Sequence, residues 1–157
     1  MAMRKFNELE NENIIFLEEN GIDFTTIEPT RTGLDKSIMD ATKMVRDYLA
    51  KHSIHNYENQ QKGPEYKMFI KSIILTDNGS TETVGTMYRP KTKKGDPRIW
   101  INVRKFVEPN DILAIIVYIR KLYVINITRY NLNKLVEDPA GNTIKDFLTL
   151  VMRKEIP

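Results

Sequence analysis

Two apolar runs parted by two residues constrain this chain more than anything else in it. DILAIIVYI (111–119) and LYVINIT (122–128) are dense in β-branched and aromatic residues, and Arg120-Lys121 between them leaves room only for a tight hairpin. The same texture recurs upstream. YKMFIKSIILT (66–76) reads as a strand, DNGS (77–80) as a turn in which Asn78 and Gly79 tolerate positive φ, and TETVGTMY (81–88) as the return strand. IWINV (99–103) is a further strand, EPND (108–111) a turn, and DFTTIEPT (23–30) an extended segment ending near Pro29.

Helical signals sit at the margins. Residues 6–19 form a short amphipathic pattern around Ile14, Ile15 and Phe16. Ser37-Ile38-Met39-Asp40 fits a capping box, and Ile38, Ala41, Val45, Tyr48 and Leu49 follow at helical spacing, predicting a helix to about Lys51. A last helix starts at Asn142-Thr143 with Ile144, Phe147, Leu148 and Val151 on one face. Short strands at roughly ten-residue intervals, with two or three helices flanking them, predict an α+β, barrel-like domain with a mainly antiparallel sheet. Strand–helix–strand alternation of the nucleotide-binding kind is missing.

At 157 residues the chain is expected to be one domain, with an acidic segment at 1–28, a barrel core at 29–128 and a C-terminal helical part at 129–157. It has no cysteine, which removes disulfides and thiolate metal sites and suggests a reducing, cytoplasmic setting. Neither an apolar run near the ~18 residues of a membrane span nor a signal-peptide core is present, so no membrane partner is expected.

Charge is distributed unevenly. The net is +3, yet residues 1–28 carry −5, residues 130–157 zero, and the middle of the chain +8. Within MYRPKTKKGDPRIWI (87–101), Arg89, Lys91, Lys93, Lys94 and Arg98 stand against a single acid, Asp96. This loop joins two predicted strands, is braced by Pro90 and Pro97, and turns at Gly95. Such a preorganised basic loop suits phosphate or base contact, while Tyr88 and Trp100 flank it; Trp100, between Ile99 and Ile101, is expected in the core. The alternative is a solvated hairpin tip. A second cluster, Thr30-Arg31-Thr32-Gly33-Leu34-Asp35-Lys36-Ser37, precedes the predicted helix and offers hydroxyls, two cations and a helix start; it also fits an ordinary loop with a good cap. A third, His55 to Pro64, holds Asn56, Asn59, Gln60, Gln61 and Lys62, amides able to read base edges or simply to make a polar connection.

Catalytic constellations are weak. His52 and His55 lack metal-pair spacing and are read as structural or solvated. No serine sits in a nucleophile elbow, and no glycine-rich phosphate motif occurs. Glu65-Tyr66-Lys67 resembles half of a metal-dependent nuclease motif, but the nearest upstream acids, Asp40 and Asp47, fall on a predicted helix rather than a partnering strand. No cofactor, metal or catalytic residue is therefore expected.

PTRTGLDKSIMDATKMVRDYL (29–49), IHNYENQQKGPEYK (54–67), MYRPKTKKGDPRIWI (87–101) and EPNDILAIIVYIRKLYVINIT (108–128) together resemble the non-catalytic DNA-recognition domains of type II restriction endonucleases, of the EcoRII N-terminal and BfiI C-terminal type, which are related in fold to the plant B-three domain. The likeness covers about 100 residues and is most specific around RPKTKKGDPRIW. It implies a seven-stranded open barrel (a pseudobarrel) whose two arms embrace double-stranded DNA in the major groove, at a short site such as CC(A/T)GG, ahead of a C-terminal nuclease domain of the MvaI/BcnI type in the full-length, monomeric protein. Carried onto this chain, one arm is 30–37 and the other 88–98. Base reading then falls to Arg31, Thr32, Gln60, Arg89, Lys91, Asp96 and Arg98, and backbone contact to Thr30, Lys36, Ser37, Lys62, Tyr88, Lys93 and Lys94. The sequence departs from the expected pattern at Asn56, where an aspartate is common, and at Ile119-Arg120-Lys121, where the turn is usually richer in glycine; Arg120 is read as a peripheral phosphate contact.

Three rival readings remain: a small nuclease built on Glu65 and Lys67, a single-strand nucleic-acid-binding barrel, and a domain whose basic loop binds an acidic protein. The single-strand reading needs aromatics exposed on a strand face, whereas Phe69, Trp100, Phe106, Tyr118 and Tyr123 are expected mostly in the core.

Overall fold

A computed structural model describes residues 4–153, the side chains of Lys93 and Arg153 excepted. The elements in order are α1 (Glu8–Glu19), β1 (Thr25–Ile27), α2 (Arg31–Lys36), β2 (Met39–Asp40), α3 (Lys43–Lys51), β3 (Met68–Thr76), β4 (Gly79–Tyr88), β5 (Arg98–Trp100), β6 (Leu113–Tyr118), β7 (Lys121–Asn126), α4 (Leu132–Glu137) and α5 (Thr143–Arg153). All seven strands join one sheet in the order β1-β6-β7-β3-β4-β5-β2. Every neighbouring pair is antiparallel except β3 and β7. This is the expected α+β open barrel. β1 and β2 lie at opposite edges yet are joined by the short α2 connection, so the sheet curls and the chain crosses the gap between its edges.

The curl encloses one apolar layer and leaves a second outside. Leu113, Ile115, Val117, Leu122 and Val124 face inward, against Val45, Tyr48 and Leu49 of α3. Ala114, Ile116, Ile125 and Ile127 face outward, against Leu17 of α1, Leu132 of α4 and Ile144, Phe147 and Leu148 of α5. β6 and β7 are thus covered on both sides. A strand with no wet face needs no polar alternation, which is why their sequences read as unbroken apolar runs. Each such fully buried side chain contributes ~1.5–3 kcal/mol of transfer free energy.

α1 is stapled down by two polar side chains with no exposed surface. Glu10 and Asn7 form a capping box, in which Asn7 Oδ1 accepts from Glu10 N (2.8 Å) and Glu10 Oε1 from Asn7 N (2.8 Å). The Glu10 carboxylate also accepts from Arg4 and from the Thr128 hydroxyl. Burial alone would push this carboxyl up, but the bonds from Arg4, Thr128 and Asn7 outweigh it and hold it below the usual carboxylate range. Asn13 donates to Ile127 O (2.8 Å) and Tyr130 O (2.7 Å) and accepts from Leu132 N (2.9 Å). With β1 paired to β6 at the sheet edge as well, residues 4–28 pack onto and pair with the barrel.

Other expectations need correction. The helix expected from Ser37 begins at Lys43, capped by Thr42, whose hydroxyl accepts from Val45 N (3.4 Å). Met39 and Asp40 are drawn instead into β2 by pairing with β5, so sheet pairing overrides the capping box. The Asp77-Asn78 turn forms without positive φ at Asn78 or Gly79. The second hairpin turns one residue earlier than expected, at Ile119-Arg120, both left-handed (φ 47° and 59°), because Tyr118 pairs with Lys121. α2 and α4 are too short to have carried a periodic signal.

Candidate nucleic-acid interface

The loop between β4 and β5 is held from inside by its own first arginine. Arg89 Nε donates to Gly95 O (2.8 Å), and its Nη1 lies 3.4 Å from both Tyr57 O and Gln60 O. Gly63 N donates to Arg89 O (2.8 Å) and Gly95 N to Thr92 O (2.9 Å). Gly95 sits at φ 71°, directly after Lys94 at φ 59°, and the stem of Lys62 lies across it where a Cβ would be. The 55–64 segment is thereby packed against the basic loop. Lys62, Lys91, Lys94 and Asp96 are exposed. Lys91 is 3.9 Å from Glu65, an exposed pair of little energetic weight.

The first arm stands beside the second because β2 pairs with β5. Asp40 lies opposite Arg98, and Ala41 N donates to Pro97 O (3.0 Å). Thr30 caps α2 by accepting from Gly33 N (3.0 Å), and Ser37 closes it in the left-handed region. A residue not singled out from sequence fixes this arm. Arg104, just past β5, donates to Leu34 O (2.8 Å), Asp35 O (3.4 Å) and Ser37 Oγ, and its guanidinium stands 5.4 Å from the centroid of the Trp100 ring. Its only sequence signal was a positive charge shortly after IWINV. Arg31, Thr32 and Lys36 are left exposed on α2.

Several expected contact residues are otherwise engaged. Gln60 is buried; its amide donates to Tyr66 O (2.8 Å) and Met87 O (3.0 Å), and its Oε1 is left to accept from His55 Nε2 (3.0 Å). A fully bonded amide has nothing to offer a base edge, so Gln60 is a structural clamp. Arg89 is a brace of the loop, and Ser37 is the Arg104 acceptor. Arg98 is buried at the root of both arms, its Nε 3.6 Å from Asp40 and without a hydrogen bond. Tyr88 is half-buried, with Lys67 Nζ 5.2 Å from its ring centroid. Burial raises its hydroxyl pKa, partly opposed by the charge of Arg98. The Lys93 side chain lies outside the described residues.

The histidines have structural partners. His52 bonds to Asp23 (2.7 Å), and burial lowers the pKa of His55, keeping it neutral. Glu65 lies in a short turn rather than on a strand, and among the described residues no three His, Cys, Asp or Glu side chains gather as metal ligands would. The aromatics divide. Phe106, Tyr118, Tyr123 and the half-buried Trp100 pack against the two apolar layers. Phe69, expected in the core, is 64% exposed.

The chain matches no protein-family model, no curated protein and no solved structure.

Proposed function

We propose that this chain is a sequence-specific double-stranded DNA-recognition domain that holds the major groove between two arms, 30–37 and 88–98. One observation carries the reading. Two cationic arms are rooted side by side on the paired strands β2 and β5, with backbones fixed by internal hydrogen bonds and with Lys36, Lys91 and Lys94 turned to solvent. A backbone ordered in advance spends no binding energy on ordering. Lys36, Lys62, Lys91 and Lys94 supply phosphate neutralisation. Arg31, Thr32, Lys91, Asp96 and the buried Arg98 are the base-reading set, Asp96 as an acceptor for cytosine N4 or an orienter of an arginine. The resemblance to restriction-enzyme recognition domains supports CC(A/T)GG as the first target to try. In this reading cleavage belongs to a separate nuclease domain in a cytoplasmic enzyme.

Fluorescence anisotropy with a CC(A/T)GG duplex and a scrambled duplex, at two salt concentrations and without metal, tests this. A preference of about a hundredfold or more at the higher salt, within the range of specific readout, is expected. Lys36→Ala and Lys94→Ala each flatten the salt slope by about 0.9 while leaving the preference intact. Equal binding to both duplexes that vanishes with salt refutes base readout, and an unchanged slope in either variant removes that lysine from the phosphate set.

A further inference from the structure

The outer face of the sheet is only partly covered. α1, α4 and α5 pack over β6 and β7, while Phe69 of early β3 and Val84 of the facing part of β4 stay exposed. Strand alternation and register show what that face presents. One row runs from Lys67, whose ammonium lies over the Tyr88 ring, through Tyr88 and Arg98 to Asp40. The next runs Phe69, Thr86, Trp100, with Arg104 over the indole. The third pairs Lys71 with Val84. Phe69 is 64% and Val84 56% exposed. Of these side chains Lys67, Phe69, Lys71 and Val84 are exposed, whereas Tyr88 and Trp100 are half-buried and Arg98 is buried. Tyr88 and Trp100 are diagonal neighbours, at a Cα spacing of ~7–8 Å. The acids on this face lie at its borders: Asp40 beside Arg98 at one edge, and Glu82 paired with Lys71 (3.5 Å) at the other.

Burial would favour covering a ring such as Phe69 set between cations, and a duplex has no means to use it, since its base planes are stacked on one another. An unpaired strand offers both base planes for stacking and phosphates for the lysines. We infer that this face binds a single strand of DNA, a base stacking on the exposed Phe69 ring and its phosphates reaching Lys67 and Lys71. The stacking surface stands on the sheet face, not on the arms. The choice of DNA over RNA rests on the arms being read as DNA-binding, because β4 and β5 carry both surfaces.

The test uses the whole chain and a labelled oligo-dT of about 15 nucleotides, near the upper site size of a stacking barrel, beside a mixed-sequence duplex and an oligo-U of equal length. Phe69→Ala is expected to weaken oligo-dT binding about five- to a hundredfold, the range for one lost base–ring stack, with duplex binding and the thermal midpoint unchanged. Phe69→Trp keeps a ring and retains oligo-dT affinity, whereas Phe69→Leu keeps only bulk and does not. Undetectable oligo-dT binding, equal affinity in Phe69→Ala, or rescue by leucine overturns the stacking surface. Tighter binding of oligo-U than oligo-dT overturns its assignment to DNA. The duplex arm reports on the arms separately, so either reading can fail without the other.

Discussion

Glu10→Gln asks whether one buried carboxylate holds α1 to the barrel. The wild-type carboxylate has no exposed surface and accepts from Arg4 Nη1, Arg4 Nη2, Asn7 N and Thr128 Oγ1. The amide leaves one acceptor oxygen, turns an NH₂ toward donors and removes the charge opposite Arg4. Breaking a buried ion pair costs ~3–5 kcal/mol. The Arg4 side chain is 35% exposed and regains water, so the lower end applies, about 3 kcal/mol. For a chain of this size that lowers Tm by ~6–12 °C at neutral pH. The pH dependence has a definite sign. The folded-state pKa of Glu10 is depressed, so its contribution is complete above the ordinary carboxylate range and lost as pH falls through the folded value. The wild-type and variant midpoints should therefore converge on acidification below about pH 5. Thermal melts by circular dichroism at several pH values decide it. A neutral-pH difference under about 2 °C, or a gap that widens on acidification, refutes the reasoning.

Two further perturbations test the frame. Ile119 and Arg120 occupy a two-residue turn with both φ positive, where each non-glycine residue costs ~1–2 kcal/mol; Ile119→Asn with Arg120→Gly suits that turn and should stabilise by ~1–2 kcal/mol, seen as a higher urea midpoint at unchanged m. Ile119 is 72% exposed, so its removal forfeits little packing. Gln60→Leu deprives Tyr66 O and Met87 O of their side-chain donor and should destabilise by ~1–3 kcal/mol, with a lower urea midpoint; no shift would return the Gln60 amide to the candidates for base reading.

Much of the fold was legible because local chemistry and tertiary position agree in it. The runs at 113–118 and 121–126, the helix patterns at 8–19 and 143–153 and the proline-braced basic loop all stand where composition and period place them. Asn7-x-x-Glu10 was a readable capping box that went unused. The misreadings share one cause. Ser37 to Asp40 carries a sound capping signal, worth about 1 kcal/mol, and loses to pairing with β5. Gln60 and Arg89 are polar residues in a polar stretch, and sequence cannot tell an amide turned to solvent from one bonded to buried carbonyls. Phe69 follows the strand period faithfully, but period says which residues share a face, not whether a helix covers it.

The sequence by itself therefore determined the longer strands, their alternation and the charge of the arms, because these depend on neighbours within a few residues. Only the tertiary structure decided that the two arms stand together, that Arg104 fixes one and Arg89 the other, and that Phe69 and Val84 stay exposed on the outer sheet face. Those outcomes depend on which residues distant in the chain meet when the sheet curls, and no local signal encodes that.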